Sequence, residues 1–333
     1  MTAPTISRRN AIMAALTTGF TPLLHAQQGT AGNWPGRPIR LIVPFPPGGG
    51  TDFLSRTVAT KLGEATGWAV VPDNRAGAGG TIGIAEAAKA EASGHTLVMG
   101  QLDNLVIAPL FYKNLAYDPQ RDLQPVALVG DSPLIYVVPT ASPHRNLGEL
   151  IAAARQAPDS ITYASPGAGT ITHLSVELFA HEAKIRVRHV PYKGSGPALA
   201  DTLSGQVHML AASIPSVMGQ LKAGKIRALA VTSAQRNSAV PEVPTVAEQG
   251  LAGFDVSTWY GLFAPKGVPQ SIIQRVNTEV NRVLANEDTK AAILSQGGEP
   301  RPLTPQALGQ RLQQDTRKWH DAVAATGLKL ELG

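Results

Sequence analysis

Glycine-rich loops, each set between a short apolar strand and a helix, constrain the fold of this sequence more than any other feature. The first loop, residues 44–52, follows the apolar run Ile39–Val43. After it, Leu54, Val58 and Leu62 recur at helical spacing. Nearly continuous apolar strands of this kind are typical of parallel sheets that helices cover on both faces. The sequence therefore predicts an α/β protein with parallel sheets.

The same order of elements recurs along the chain. A strand at 68–71 is followed by a second glycine-rich loop at 74–83 and an alanine-rich helix. Two further loops, 165–172 and 192–197, again lie between a strand and a helix, and we expect Ser195 to cap the helix after the last one. Because the four loops share one design, we expect them to share one function.

The order of the strands divides the chain into two lobes. An apolar strand at 133–138 could carry the chain into a second lobe, and a strand at 259–263 is interpreted as the return crossing. We therefore expect lobe 1 to comprise residues 27–130 and 256–333, and lobe 2 to comprise residues 131–255.

The first 26 residues have the layout of a signal peptide. Arg8 and Arg9 form a basic head, residues 11–24 are uncharged and largely apolar, and Ala26 is a small residue suited to cleavage. The apolar stretch is shorter than the roughly 20 residues that a spanning helix needs. We expect cleavage near Ala26 and a periplasmic location. The paired arginines leave twin-arginine export open beside the general route, and a buried N-terminal helix is the structural alternative.

Composition excludes several classes of function. The chain has no cysteine, which removes disulfides, thiolate nucleophiles and cysteine metal sites. A net charge of +5 without a run of lysines or arginines does not indicate a nucleic-acid surface. The eight histidines are scattered and never take the His-x-x-x-His spacing of a metal site. We expect no cofactor, no metal and no nucleic-acid partner.

The chemistry of the four loops favours an anion. Glycine lets the backbone present its amides without a Cβ in the way. The first turn of a helix adds unpaired N–H groups and a partial positive charge, so it binds a carboxylate or phosphate without an arginine. Two loops in each lobe, opposed across a cleft, would hold both ends of an elongated dianion. Any single loop could equally be an ordinary tight turn.

Two enzyme hypotheses compete with a binding cleft. A dinucleotide fold is opposed by Ile82, which stands where the third glycine of that motif should fall. A serine hydrolase could use Ser165 with His173 and Asp201. It is opposed by Pro166, which follows the serine and has no N–H to give to an oxyanion hole.

Several segments also resemble a known family. Residues 44–52, PFPPGGGTD, resemble the first signature loop of the Bug family, the TctC-like substrate-binding proteins of tripartite tricarboxylate transporters, and residues 74–80, NRAGAGG, resemble the second. The resemblance covers nearly the whole chain after the signal. It continues, in order, through residues 163–174, 189–198, 224–233, 243–246 and 259–265.

This resemblance implies a type II periplasmic-binding-protein fold, with two α/β lobes closing on a carboxylate, often a di- or tricarboxylate, and no catalysis. It implies a monomer that presents its ligand to the membrane subunits of a transporter; a ligand sensor without a transport partner is the alternative. It also implies that the first-lobe loops hold one carboxylate partly through backbone amides and bound water. The matching ligand-binding positions are Phe45, Gly48, Gly49, Asp52, Ala78, Gly79 and Gly80 in lobe 1, and Ser165, Gly169, Thr170, Thr172 and His173 in lobe 2.

Some of these assignments have structural alternatives. Asp52 could merely stabilise the start of its helix, and His173 could bond to the backbone. The chain also departs from the family where members often carry Val-Asp-Leu-Met-Phe-Asp-Asn, because His208 and Ala212 replace the two aspartates. If the second aspartate usually meets a polar or cationic group of the ligand, Ala212 indicates a less polar or aromatic carboxylate as the ligand; neutral packing of Ala212 is the alternative.

Overall fold

The computed structural model of this protein describes residues 34–327 together with Met1 and Lys329, so the predicted signal peptide and cleavage site lie outside the part described, apart from Met1. Strands and helices alternate along the described chain, as an α/β protein requires. The strands are β1 (Ile39–Val43), β2 (Val70–Asn74), β3 (Thr96–Gln101), β4 (Leu123–Pro139), β5 (Thr162–Ser165), β6 (Arg188–Pro191), β7 (Met209–Ser213), β8 (Ile226–Val231), β9 (Ser257–Pro265) and β10 (Glu299–Pro300).

Helices connect and cover these strands. The α-helices are α1 (Gly50–Thr66), α2 (Thr81–Ala88), α3 (Ala108–Phe111), α4 (Pro119–Asp122), α5 (Leu147–Gln156), α6 (Ile171–Ala183), α7 (Ser195–Leu203), α8 (Ile214–Lys222), α9 (Gln270–Ala285), α10 (Glu287–Leu294) and α11 (Pro305–Thr326). Short 3-10 turns lie at Ala78–Gly80 and Ala247–Gln249, and a π-helical turn at Asp103–Ile107. Among the described residues, no helix is long and apolar enough to cross a membrane.

The sheet of lobe 1 has the order β2-β1-β3-β9-β4, with β10 added at β4. Strands β2, β1 and β3 are parallel, whereas β9 is antiparallel to both β3 and β4. In a parallel arrangement the carboxyl ends of the strands meet at one edge of the sheet. The loops that follow β1 and β3 therefore open at the same edge, where the cleft lies.

Strand β4 joins the two lobes. It is 17 residues long; its first part pairs with β9, and from Leu134 onward it pairs with β7 and β8. Parallel pairing of β7 with β5 and of β5 with β6 completes the sheet of lobe 2. The sequence predicted only 133–138 of this strand, because Pro125, Gly130 and Asp131 interrupt the apolar pattern. Two lobes are confirmed, while the predicted boundaries near 130 and 255 stay a prediction.

Local sequence sets most helix ends. Gly67 ends α1 in the left-handed conformation, at φ 74°, and the Asn146 side chain caps α5 by accepting from the Glu149 amide. The predicted cap at Ser195 is wrong, because Gly194 holds that position at φ 118°. A Cβ on Gly194 would lie 2.7 Å from the Pro46 ring, so only glycine fits there. Ser195 becomes the first residue of α7.

The apolar core is continuous through β4. One cluster lies between the first sheet and helices α1 and α9, around Leu41, Val58 and Val276. Another lies in lobe 2 around Ile135, Leu210 and Val217. The largest cluster includes β4 residues from both halves of the strand and so spans the two lobes. The two lobes thus share both strand β4 and one apolar cluster.

Candidate functional site

A cavity of about 40 Å³ lies between the lobes, at the point where four helices begin. Gly50 opens α1, Ile171 opens α6 and Ser195 opens α7, while Ser213 is the residue before α8. The described residues that line the cavity are Phe45, Pro46, Gly49, Gly50, Thr51, Gln101, Asp103, Leu134, Pro166, Thr170, Ile171, Thr172, Ser195, Ser213, Thr258 and Tyr260.

The polar groups of this cavity wall are backbone groups, hydroxyls, the Gln101 side-chain amide and one carboxylate, that of Asp103. None of the described lining residues is Lys, Arg or His. The starts of four helices supply N–H groups and partial positive charge on both sides of the cleft. Hydroxyls of threonine and serine, such as those of Thr51 and Ser195, add short polar side chains. Such a wall can hold an anion through hydrogen bonds from both lobes.

The lobes are closed on each other around this cavity. The Tyr260 hydroxyl of lobe 1 hydrogen-bonds to Ser213 of lobe 2. A Cβ on Gly50 would lie only 2.8 Å from Ser213 Oγ and 2.9 Å from the Tyr260 hydroxyl. A cavity of about 40 Å³ holds only a few water molecules. A ligand of several carbon atoms therefore enters only if the lobes move apart.

A chain of hydrogen bonds crosses the cleft within the cavity wall. Thr51 Oγ1 donates to Gln101 Oε1, and Gln101 Nε2 donates to Asp103 Oδ2 at 2.5 Å. Asp103 Oδ1 then accepts from the Ile171 amide of lobe 2 at 2.7 Å. Burial raises the pKa of Asp103, and the bonds from Gln101 and Ile171 oppose that rise.

Sequence reasoning missed Gln101, Asp103, Thr258 and Tyr260. For Gln101 and Asp103 a signal was present, because polar residues follow a buried strand at the carboxyl edge of a parallel sheet. Thr258 and Tyr260 lie inside the apolar strand β9, so no local pattern marks them as cleft residues. They reach the cavity only because β9 lies between β3 and β4.

In the first loop, Phe45 and Gly49 line the cavity, whereas Gly48 and Asp52 do not. The Asp52 carboxylate accepts from the Gly48 amide at 3.1 Å, from Arg56 at 3.0 Å and from Asn74 at 3.0 Å. Burial alone would raise the pKa of Asp52, but these three hydrogen bonds hold it below its ordinary value. Asp52 thus stabilises the conformation of the first loop and does not face the cavity.

The second loop borders a different space. Ala78, Gly79 and Gly80 form a 3-10 turn with positive φ angles and line a groove of about 560 Å³ next to the cavity. Phe45 and Pro46 line both spaces and stand between them. A Cβ on Gly80 would lie 2.9 Å from the Phe45 ring, so this glycine lets the ring pack against the turn. The three predicted residues therefore lie at the outer side of the cleft.

In lobe 2, Thr170 and Thr172 line the cavity and their Oγ1 atoms are 2.7 Å apart. Gly169 and His173 lie behind this wall, where the Gly169 amide donates to His173 Nδ1 at 3.2 Å. Ser165 is fully buried. None of these last three residues lines the cavity.

The serine-hydrolase hypothesis is wrong. Ser165 Oγ is hydrogen-bonded to His189 Nε2 at 2.7 Å rather than to His173. The Asp201 carboxylate accepts from the Tyr192 hydroxyl at 2.7 Å, so it orients neither histidine. The three residues proposed for the triad are therefore not joined by hydrogen bonds.

The hypothesis for Ala212 also meets a structural obstacle. Ala212 is buried on β7 in the apolar cluster of lobe 2, and its neighbour Ser213 lines the cavity instead. His208 lies away from the cavity, with Nδ1 2.8 Å from Thr162 Oγ1. An aspartate at position 212 would be a buried charge rather than a ligand contact. Among the described residues, no group of three or more His, Asp or Glu could hold a metal ion.

The two α/β lobes and the cleft between them define the class of the two-lobed solute-binding proteins. The sequence profile of the family described as "Tripartite tricarboxylate transporter family receptor" matches residues 54–328. The chain belongs to this family.

Relatives and solved structures agree with that assignment. The chain is 37% identical over 303 residues to Protein BugT of Bordetella pertussis, covering 91% of this chain and 93% of BugT. The structure "R. palustris Rpa4515 with adipate" is 34% identical, with TM-score 0.87, over 89% of this chain and 99% of that one. The structure of MatC (Rpa3494) from Rhodopseudomonas palustris with bound malate is 34% identical, with TM-score 0.82, over 87% of this chain and 99% of that one.

These comparisons confirm the Bug-family, TctC-like resemblance and the type II periplasmic-binding-protein fold. They also confirm that the family consists of periplasmic solute-binding proteins, not enzymes. Two of the solved relatives bind adipate and malate.

Proposed function

We propose that this protein captures a small carboxylate in the cleft between its lobes and presents it to the membrane subunits of a tripartite tricarboxylate-type transporter. The observation that carries the proposal is the meeting of four helix starts at one cavity without a single Lys, Arg or His in its described wall. Backbone amides and hydroxyls hold one carboxylate, and the shape of the closed cleft selects the rest of the ligand.

The predicted contacts divide into two groups under this proposal. Phe45, Gly49, Thr170 and Thr172 contact the ligand directly, because they line the cavity. The other predicted residues do not line the cavity. Gly48, Asp52, Ser165, Gly169 and His173 support its wall from behind, and Ala78, Gly79 and Gly80 border the groove at the outer side of the cleft.

A thermal-shift panel tests the carboxylate. We expect mono-, di-, tri- or aromatic carboxylates, added to refolded ligand-free protein, to include a compound that raises the melting temperature. At a hundred times its Kd a ligand adds about 2.7 kcal/mol, which for a chain of this size corresponds to about 4 °C. The amide of the same compound is the matched control and should leave the temperature unchanged. Shifts by a sugar or nucleotide and by no carboxylate would contradict the proposal.

The transport role and the location have their own measurement. We infer that the protein is exported with cleavage near Ala26, works as a monomer in the periplasm and feeds a membrane permease. Cells lacking the protein should lose uptake of the labelled carboxylate found in the panel, and the mature chain should start at residue 27. Normal uptake in those cells, with binding intact, would favour a sensor.

A further inference from the structure

One carboxylate of the protein itself already lies in the cavity wall. Asp103 is 3% exposed, and its Oδ1 accepts from the Ile171 amide at the start of α6. It therefore occupies one of the four helix starts that face the cavity. Among the described residues, no lysine or arginine forms an ion pair with Asp103.

A second polar group in the same wall has spare bonding capacity. Thr258 is 2% exposed and lines the cavity, and its hydroxyl has no hydrogen-bond partner among the residues that the structure describes. A buried hydroxyl without a partner costs free energy, which a bound ligand would recover by hydrogen-bonding to it. Asp103 and Thr258 thus give the cavity an acceptor and an unused donor–acceptor group beside the anion-binding helix starts.

We propose, building on the carboxylate binding proposed above, that Asp103 selects the charge at the second end of the ligand. The cleft then prefers a carboxylate whose other end carries a hydroxyl, or another neutral hydrogen-bond donor, over a dicarboxylate of the same length.

Coulomb repulsion between Asp103 and a second carboxylate is the reason for the expected preference. Two negative charges about 4 Å apart repel strongly where water is excluded, whereas a hydroxyl can donate to the same carboxylate.

Protonation of Asp103 is the one way in which a second carboxylate becomes acceptable. The Asp103 carboxylate accepts hydrogen bonds from Gln101 of β3, from the Ile171 amide of α6 and from its own backbone amide, and Tyr260 of β9 interacts with it electrostatically. Only Tyr260 titrates, and burial raises its pKa, so it remains a neutral phenol near neutral pH. Binding of a dicarboxylate should therefore take up a proton at Asp103.

Isothermal titration calorimetry with matched ligand pairs tests this selection. Each pair has one chain length and differs only at one end, as in 6-hydroxyhexanoate against adipate and 4-hydroxybutyrate against succinate. We expect the wild-type protein to bind the hydroxy acid at least about tenfold more tightly. Asp103→Asn keeps an acceptor for the Ile171 amide but no charge, and should shift the ratio at least about tenfold toward the dicarboxylate.

Asp321→Asn is the control variant, because it removes one negative charge from an exposed position on α11. Its ligand ratio should equal that of the wild type. If Asp103→Asn does not fold, the pH dependence of binding by the wild-type protein tests the role of Asp103. The affinity for the dicarboxylate should rise as the pH falls from about 8 to about 6.5, whereas the affinity for the hydroxy acid should stay constant.

The outcomes distinguish a failure of this inference from a failure of the proposed function. An unchanged ratio in Asp103→Asn, or tighter dicarboxylate binding by the wild type at every pH, overturns the role of Asp103 and leaves carboxylate binding in place. Absence of binding for every carboxylate overturns the proposed function, and with it this inference.

Discussion

Replacing Gly50 by alanine is expected to weaken ligand binding by about ten- to one-hundredfold without lowering the melting temperature of the ligand-free protein. Overpacking of a tight contact costs about 1–3 kcal/mol, which corresponds to that range. The added Cβ would lie 2.8 Å from Ser213 Oγ and 2.9 Å from the Tyr260 hydroxyl. Ser213 can rotate, but the Tyr260 ring is only 2% exposed and cannot move aside. The lobes would therefore stop short of closure.

Each lobe should still fold, because alanine is a better helix former than glycine at the start of α1. Calorimetry with the carboxylate found in the thermal-shift panel gives the affinity, and small-angle X-ray scattering shows whether the ligand still compacts the protein. Gly196→Ala is the matched control. It also lies in the first turn of a cleft helix, but a Cβ there meets nothing within 4 Å. Wild-type affinity in Gly50→Ala would show that closure does not depend on this contact.

The loop at 44–52 shows what the sequence could predict. Glycine, proline and helical spacing are local signals, so the order of strand, loop and helix follows from nearby residues. Which face of the loop meets the cavity is not a local property. Gly50 and Thr51 line the cavity because lobe 2 closes over the start of α1, while Asp52 turns back to Gly48 and Arg56.

The rest of the site depends on contacts between distant segments. Thr258 and Tyr260 enter the cleft because β9 returns from lobe 2 and inserts between β3 and β4. Asp103 meets Ile171, 68 residues away, only because the lobes close. The resemblance to the family supplied the fold and the loops, but a motif carries no information on such pairings. The cavity wall could therefore be predicted only in part.

Two stacked histidines behind the cavity wall are expected to make stability fall in acid. The rings of His173 and His189 are 3.7 Å apart and nearly parallel, and that of Tyr163 stacks on His189. Burial lowers the pKa of His173 to about 3, helped by His189, and lowers that of His189 to about 4. Glu177 is 3.8 Å from His173, but burial raises the pKa of Glu177, so its attraction for a protonated ring is weakened.

Unfolded histidines have a pKa of about 6.5, so between that value and about 4 the unfolded chain binds more protons than the folded one. Stability must then decrease as the pH falls through this window. Between pH 7 and pH 5 the pair should cost about 2–4 kcal/mol, and carboxyl groups such as Glu177, with raised pKa values, offset part of it. The contribution of the histidines is therefore measured as a difference between variants.

His189→Phe keeps a ring in the stack and removes one titrating group. Urea unfolding at pH 7, 6 and 5 should show that its loss of stability is smaller than that of the wild type by about 1–2 kcal/mol. His320→Gln, which changes an exposed histidine on α11, should follow the wild-type curve. If the free energy of unfolding falls with pH equally in His189→Phe and in the wild type, the histidine stack does not control stability in acid.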